Sequence, residues 1–333
     1  MTVLFQQPHT SYFLKGIGVA LVLTILVIVL GAYTRLSDAG LGCPDWPGCY
    51  GQLLGVPEQP AEIAKAEQAY PGWRVEVDKA WIEMVHRYFA GGLGLIILML
   101  TAFAFIVAKQ RRGLMLSLLG LVTFQALLGM WTVTLLLQPL VVVAHLLGGF
   151  TVLALLWWLY LDRWFEPKRA TVQNKAFYKI TLVALVLLVM QITLGGWTSS
   201  NYAALACVDF PLCQGQWIPE ADYRGGFRFL VDQRNYEYGV LDSPQRTAIH
   251  FSHRLGALIV AVFFVVFLTK LFIQGSILVR RVALSIAALL VVQIVLGISN
   301  VVFSLPLTVA VLHNAVAALL LLSLLLLLRV LKS

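Results

Sequence analysis

The chain has 333 residues, of which 60% are hydrophobic and only 12% charged, a composition outside the range of water-soluble domains. Mean hydropathy is +0.85, and the net charge of +8 gathers in short loops between apolar runs, where membrane topology places it, so no nucleic-acid partner is needed to explain it. A soluble enzyme, a soluble binding module and a nucleic-acid-binding protein are thereby excluded.

Eight apolar runs reach the ~20 residues that cross a bilayer as a helix: residues 13–36, 81–108, 113–136, 140–161, 177–199, 246–272, 282–303 and 307–330. The first is too long for a signal-peptide core and no small-residue cleavage site follows it, so it is expected to remain as a span. The expected fold class is an all-α integral membrane protein with eight transmembrane helices. Lys15, the "KQRR" of 109–112, residues 162–179, Lys270, "RR" 280–281, Arg329 and Lys332 define one side, with fourteen basic and two acidic residues. The other side carries ten basic and fourteen acidic residues, and the positive-inside rule therefore predicts cytoplasmic termini. The two longest loops, 37–80 and 200–245, are then outside.

Loop 37–80 contains "GLGCPDWPGCYGQ", with Cys43 and Cys49, and loop 200–245 contains "ALACVDFPLCQGQ", with Cys207 and Cys213. The outer compartment permits disulfides there, and a tether for the loop and a redox pair both fit. The offset of 164 that relates the two cysteine pairs also carries Thr34 to Thr198, Asp45 to Asp209, Pro47 to Pro211, Gly51 to Gly215 and Gln52 to Gln216. Further on, "HRYFAGGLGL" from His86 matches "HRLGAL" from His253, and His145 matches His313. The expected organisation is two pseudo-symmetric four-helix bundles: an N-terminal repeat over 1–162, a cytoplasmic linker at 163–176 and a C-terminal repeat over 177–333. An even number of spans per repeat makes the repeats parallel, about an axis along the membrane normal. A weaker echo, "VLGAYT" 29–34, "LLGMWT" 127–132, "TLGGWT" 193–198 and "VLGISN" 295–300, closes the odd-numbered spans. Its glycines read as close-packing positions without chemistry. Trp157 and Trp158 read as anchors at the inner interface.

His86, His145, His253 and His313 each fall five to seven residues inside the outer end of an even-numbered run, roughly 9 Å deep at 1.5 Å rise per residue. A single intramembrane histidine is often a hydrogen-bonded packing residue. Four at one depth, two per repeat, suit bis-histidine haem ligation, in which two axial nitrogens face each other across one iron. Zinc is disfavoured because neither half offers four ligands at that level. Arg87 and Arg254 follow the first ligand of each half directly, and either guanidinium suits a haem propionate or, alternatively, headgroups and loop carboxylates. The halves part at Glu83, three residues before His86, whose counterpart is His250. A carboxylate beside a haem ligand suits a general base or a stabiliser of positive charge; an acid in a first helical turn is also favoured by the macrodipole.

The segments "GAYTRLSDAGLGCPDWPGC", "EMVHRYFAGGLG", "AHLLGGF", "IHFSHRLGAL" and "VLHNAVAALL" resemble the haem A synthase family over nearly the whole chain, in its cysteine-bearing bacterial form. The resemblance implies a multi-pass protein of the bacterial cytoplasmic membrane that oxidises the C8 methyl of haem O to the formyl group of haem A, through hydroxylated intermediates with water as oxygen source, for cytochrome oxidase. It implies His86 and His145 around the substrate haem, Glu83 in the oxidation, His253 and His313 on a haem b cofactor, and a disulfide in each outer loop. Expected partners are haem O, the lipid bilayer, a membrane electron acceptor, the farnesyl transferase that makes haem O (haem O synthase) and a second copy of the chain. Two alternatives accompany it. A quinone-linked thiol oxidase explains the cysteines but leaves the level histidines over. A membrane dihaem electron carrier explains the histidines but leaves Glu83 over.

Overall fold

The computed structural model describes residues 8–108, 111–161, 175–229 and 235–332. These form α1 (Pro8–Leu36), α2 (Pro60–Ala69), α3 (Val77–Phe103), α4 (Arg112–Thr134), α5 (Pro139–Leu161), α6 (Lys175–Ser200), α7 (Tyr223–Gly226), α8 (Ser243–Gln274), α9 (Ile277–Val302) and α10 (Leu307–Lys332), with no named strand among the described residues. A π-helical turn, Ala104–Ala108, prolongs α3. All except α2 and α7 are long and apolar enough to cross a membrane, and these eight correspond to the eight expected runs. The expected linker at 163–176 lies outside the described residues except for Lys175 and Ala176, which open α6.

Four starts precede the apolar runs by about one turn: helix α1 begins at Pro8, α3 at Val77, α8 at Ser243 and α9 at Ile277. At α8 the cause is local: the Asp242 carboxylate accepts from the Gln245 backbone N–H, the Gln245 side chain accepts from the Asp242 N–H, and Pro244 occupies the first turn. Such a capping box starts a helix in polar sequence. Glu83 therefore stands in the second turn of α3, beyond the first turn where the macrodipole favours an acid.

In the first half α1 packs on α3 and α5, and α4 packs on the same two; in the second half α6 and α9 each pack on both α8 and α10. The helices of each half thus close a circuit. The halves meet where α10 lies against α1 and α5, and α5 against α6. Helix α10 is the most enclosed, with 61% of its most apolar window buried against 33% or less for the other seven.

Polar contacts secure this seam at both ends. The Trp157 indole N–H donates to the Leu322 carbonyl of α10 at 2.9 Å, and the Arg329 guanidinium stands 5.4 Å from the Trp158 ring centre. The two tryptophans, expected as interfacial anchors, pin α5 to α10, and the Trp157 indole N–H finds its acceptor within the protein. At the other end Arg35 of α1 donates to the Ser199 carbonyl of α6 at 2.6 Å and lies 4.2 Å from the Tyr202 ring centre. The Tyr236 backbone N–H donates to the Leu136 carbonyl at 3.0 Å, so the second long loop also touches the α4–α5 turn.

Trp157→Phe is expected to lower the thermal midpoint of the purified protein slightly, for loss of one hydrogen bond worth about 1 kcal/mol. Trp157→Ala is expected to lower it several times further through lost packing, with both read by thermal unfolding in detergent.

Candidate functional site

The four histidines of the even-numbered runs each meet a glycine on the preceding membrane helix. A β-carbon built on Gly31 would stand 2.9 Å from Cε1 of His86, on Gly129 3.5 Å from His145, on Gly195 3.2 Å from His253 and on Gly297 3.1 Å from His313. These are the glycines of the repeated motif that sequence reading left without chemistry. Their lack of a side chain makes room for an imidazole between two helices, a use of close approach beyond backbone packing. His86 and His145 lie within electrostatic range of each other, as do His253 and His313.

Glutamine stands four residues before the glycine in three of the four motifs: "QALLG" at Gln125, "QITLG" at Gln191 and "QIVLG" at Gln293, with Val27 in the first. Gln191 directs its amide nitrogen at Nδ1 and at the carbonyl of His253, both at 3.0 Å. Gln293 places its amide nitrogen 3.2 Å from Nε2 of His313. These glutamines were not among the expected site residues, although a polar residue recurring at fixed spacing before a repeated glycine was a usable signal.

The cysteine loops adopt one conformation twice. Cys43–Cys49 and Cys207–Cys213 are disulfides, with all four residues buried. Asp45 accepts from the backbone N–H groups of Tyr50 and Gly51, and Asp209 from those of Gln214 and Gly215. Backbone N–H donation from Gly215 holds the Asp209 carboxyl below the usual range, because the bonds favour the charged form. Gly51 and Gly215 take φ of +79° and +75°, the left-handed region that glycine enters freely. Burial pushes the Tyr50 phenol up to about 12, which keeps it a donor, here to the Arg74 carbonyl at 2.9 Å.

Each loop is clamped to the helix that bears the first histidine of its half. Arg87 donates through Nη1 to the carbonyls of Asp45, Pro47 and Gly48, and through Nη2 to Oε1 of Glu83 at 2.5 Å. The other oxygen of Glu83 accepts from the Cys43 N–H at 2.9 Å. In the second half Arg254 donates to the carbonyls of Asp209 and Leu212 at 2.8 Å and of Cys207 at 2.7 Å. His250, in the place of Glu83, lies 3.2 Å from the Cys207 nitrogen and 3.2 Å from Nε of Arg254. Glu83 and His250 are both 4% exposed. The guanidinium groups expected to meet propionates thus spend these donors on loop carbonyls, because the loops fold down onto α3 and α8 and present unpaired backbone oxygens that a planar fork satisfies several at a time. His250 serves the loop in the same position as Glu83.

The histidine pairs fit an iron porphyrin on two observations. Nδ1 of His86, His145 and His313 is buried without a hydrogen-bond partner, so each of these rings keeps one nitrogen uncommitted within the protein. No cluster of three or more histidine, cysteine, aspartate or glutamate side chains suited to a bare metal ion occurs among the described residues, whereas two facing imidazoles suffice for haem.

Arg254→Gln is expected to free the carbonyls of residues 207, 209 and 212 and to weaken loop docking by about 3 kcal/mol, as charge-assisted bonds are lost. Amide hydrogen exchange should rise in 204–216 and remain unchanged in the middle of α8.

Comparison with known proteins agrees with these features. The COX15-CtaA model, described as cytochrome oxidase assembly protein, matches residues 17–325. A haem A synthase of Shewanella oneidensis is 48% identical over 312 residues, covering 92% of each chain. A haem A synthase of Caulobacter vibrioides is 29% identical with 89% of each chain covered, and one of Wolbachia pipientis is 26% identical over 93% of this chain and 91% of its own. A family match from the first span to the last, with cysteine loops and paired histidines between, places this chain in the COX15-CtaA family of cytochrome oxidase assembly proteins.

Proposed function

We propose that this protein is a haem A synthase, a membrane oxidoreductase that takes haem O as substrate and releases haem A. The observation that carries the reading is the set of four glycine-seated histidines, paired two by two within the membrane helices, together with the 48% identity to a haem A synthase along 92% of both chains. The reaction converts a ring methyl and one water into a formyl group with loss of four electrons and four protons, so the protein must hold the substrate, exclude side reactions and give electrons an exit.

The N-terminal half is assigned to the substrate, with His86 and His145 as iron ligands. Glu83 lies three residues before His86, one turn away on the same face of α3. Its carboxylate is ion-paired with Arg87, which suits it to stabilise positive charge or orient a water near the ring edge more than to donate a proton. The C-terminal half is assigned to haem b, held by His253 and His313, which when bound supplies one-electron transfer. Gln191 fixes the His253 ring and Gln293 sits against the His313 ring, as outer-shell partners of ligands do. The cysteine loops are assigned to the periplasmic side of a bacterial cytoplasmic membrane, with both termini in the cytoplasm. Arg87 and Arg254 act first as loop clamps, and any propionate contact uses what their loop bonds leave.

One observation favours the carrier alternative: His250 occupies the place of Glu83 against its own loop, so loop anchoring by itself accounts for burial of Glu83. The burial of all four cysteines weighs against a thiol oxidase, whose active sulfurs must be reached by substrate.

Glu83→Gln separates these roles, because the glutamine carbonyl still accepts from the Cys43 N–H. Expressed with a haem O supply, the unaltered chain is expected to yield haem b with haem A on extraction and chromatography, and the variant to retain haem b and accumulate haem O. Equal haem b and no haem A from both proteins would make the chain a carrier. Gly31→Val and Gly195→Val are expected to act separately, the first removing the substrate haem and sparing haem b, the second removing haem b, as read by haem extraction and absorption spectra.

A further inference from the structure

The two cysteine loops expose large apolar side chains at matched positions. Leu53 and Leu54 are 70% and 80% exposed, and their counterparts 164 residues on, Trp217 and Ile218, are 74% and 78% exposed. Trp46 and its counterpart Phe210 add partly exposed rings. Paired bulky apolar residues of this kind mark an interaction surface more often than isolated ones do.

The height of the loops identifies what covers them. Arg87, well inside α3, holds the carbonyls of Asp45, Pro47 and Gly48, the Gly55 N–H donates to the Tyr88 hydroxyl at 2.7 Å, and Arg254 holds Asp209 and Leu212. The cysteine-bearing segments 45–55 and 207–212 therefore lie along the flanks of α3 and α8, close to the level of His86 and His253. Each of these spans runs 32 residues, about 48 Å at 1.5 Å per residue, against a hydrocarbon layer of ~30 Å. The loop level falls near the boundary between acyl chains and headgroups on that side.

We propose that Leu53, Leu54, Trp217 and Ile218 insert into the membrane interface, so that both disulfide loops are anchored in the leaflet on the cysteine side. Lipid is the occupant that meets the symmetry: parallel repeats are related by an axis along the membrane normal, so matched positions share one height, and a flat bilayer contacts both at once. A soluble partner or a second copy has no reason to cover both. The two pairs also keep bulk and apolarity while differing in shape, Leu-Leu against Trp-Ile, which suits a fluid contact and not a fitted one. Tryptophan is itself favoured at this depth. This inference rests on the membrane helices and the loop geometry alone and is independent of the reaction.

The test uses the full-length protein in vesicles of phosphatidylcholine brominated near the glycerol end of the acyl chains. Subtracting the fluorescence of Trp217→Phe from that of the unaltered chain isolates Trp217. Loss of most of that emission in brominated vesicles, with little quenching by aqueous iodide, is expected. Quenching by iodide and not by brominated lipid would place the loop in water and overturn the proposal; protection from both would place a protein on the patch and also overturn it. Leu54→Trp on the Trp217→Phe background probes the first loop, and quenching at the same depth is expected. A different depth would refute the common height.

Discussion

An imidazole ring standing between two membrane helices crowds the facing residue, and at all four histidines that residue is glycine. With a β-carbon at Gly31, Gly195 or Gly297 the nearest ring atom would lie about 3 Å away, inside ordinary contact distance, and the helix pair would have to separate or the ring turn out. Glycine in a helix interior carries a cost of roughly 0.5–1 kcal/mol relative to alanine in water, and the lipid environment tolerates it where helices approach closely. Everything proposed for the site follows from these four seats: the pairing of the rings, their freedom from competing hydrogen bonds at Nδ1 in three of four cases, and the carboxamides that take position one turn away.

Polar satisfaction on the loop side follows the same economy of place. A loop folded down onto a membrane helix brings backbone carbonyls to a depth where water is scarce, and each would be costly to leave unpaired. Arg87 and Arg254 answer this by spreading one guanidinium over several carbonyls. The remaining acceptor for the first cysteine N–H of each loop is Glu83 in one half and His250 in the other. That single exchange changes the electrostatics. Arg87 is balanced by a carboxylate, and Arg254 is not balanced at the same position.

The two halves share α10, whose burial exceeds that of every other span. It carries His313 near one end, while the tryptophans of α5 hold its other end. Arg35 and the Tyr236 backbone tie the cysteine ends together. Helix α10, packed on both halves and held by the α5 tryptophans toward its end, links the two histidine pairs through one element.

Composition alone made the eight spans legible, because transfer of a helix into hydrocarbon depends on the sum of its side chains and hardly on their neighbours. The duplication was legible from Cys43, Cys49 and their counterparts at one offset, and the histidines stood out as rare polar residues in apolar runs. The start of α8 was not legible, since a capping box and not hydrophobicity begins it. Nor were the roles of Gly31, Gln191, Trp157 and Arg87, each of which acts on a residue of another helix or of a loop folded back from far along the chain. The amino-acid sequence by itself determined what crosses the membrane and which side chains repeat. Only the tertiary structure decided which ring meets which glycine and which guanidinium meets which carbonyl, because hydrogen bonds and van der Waals contacts are short-ranged and depend on the rotation and height of each helix against its neighbour.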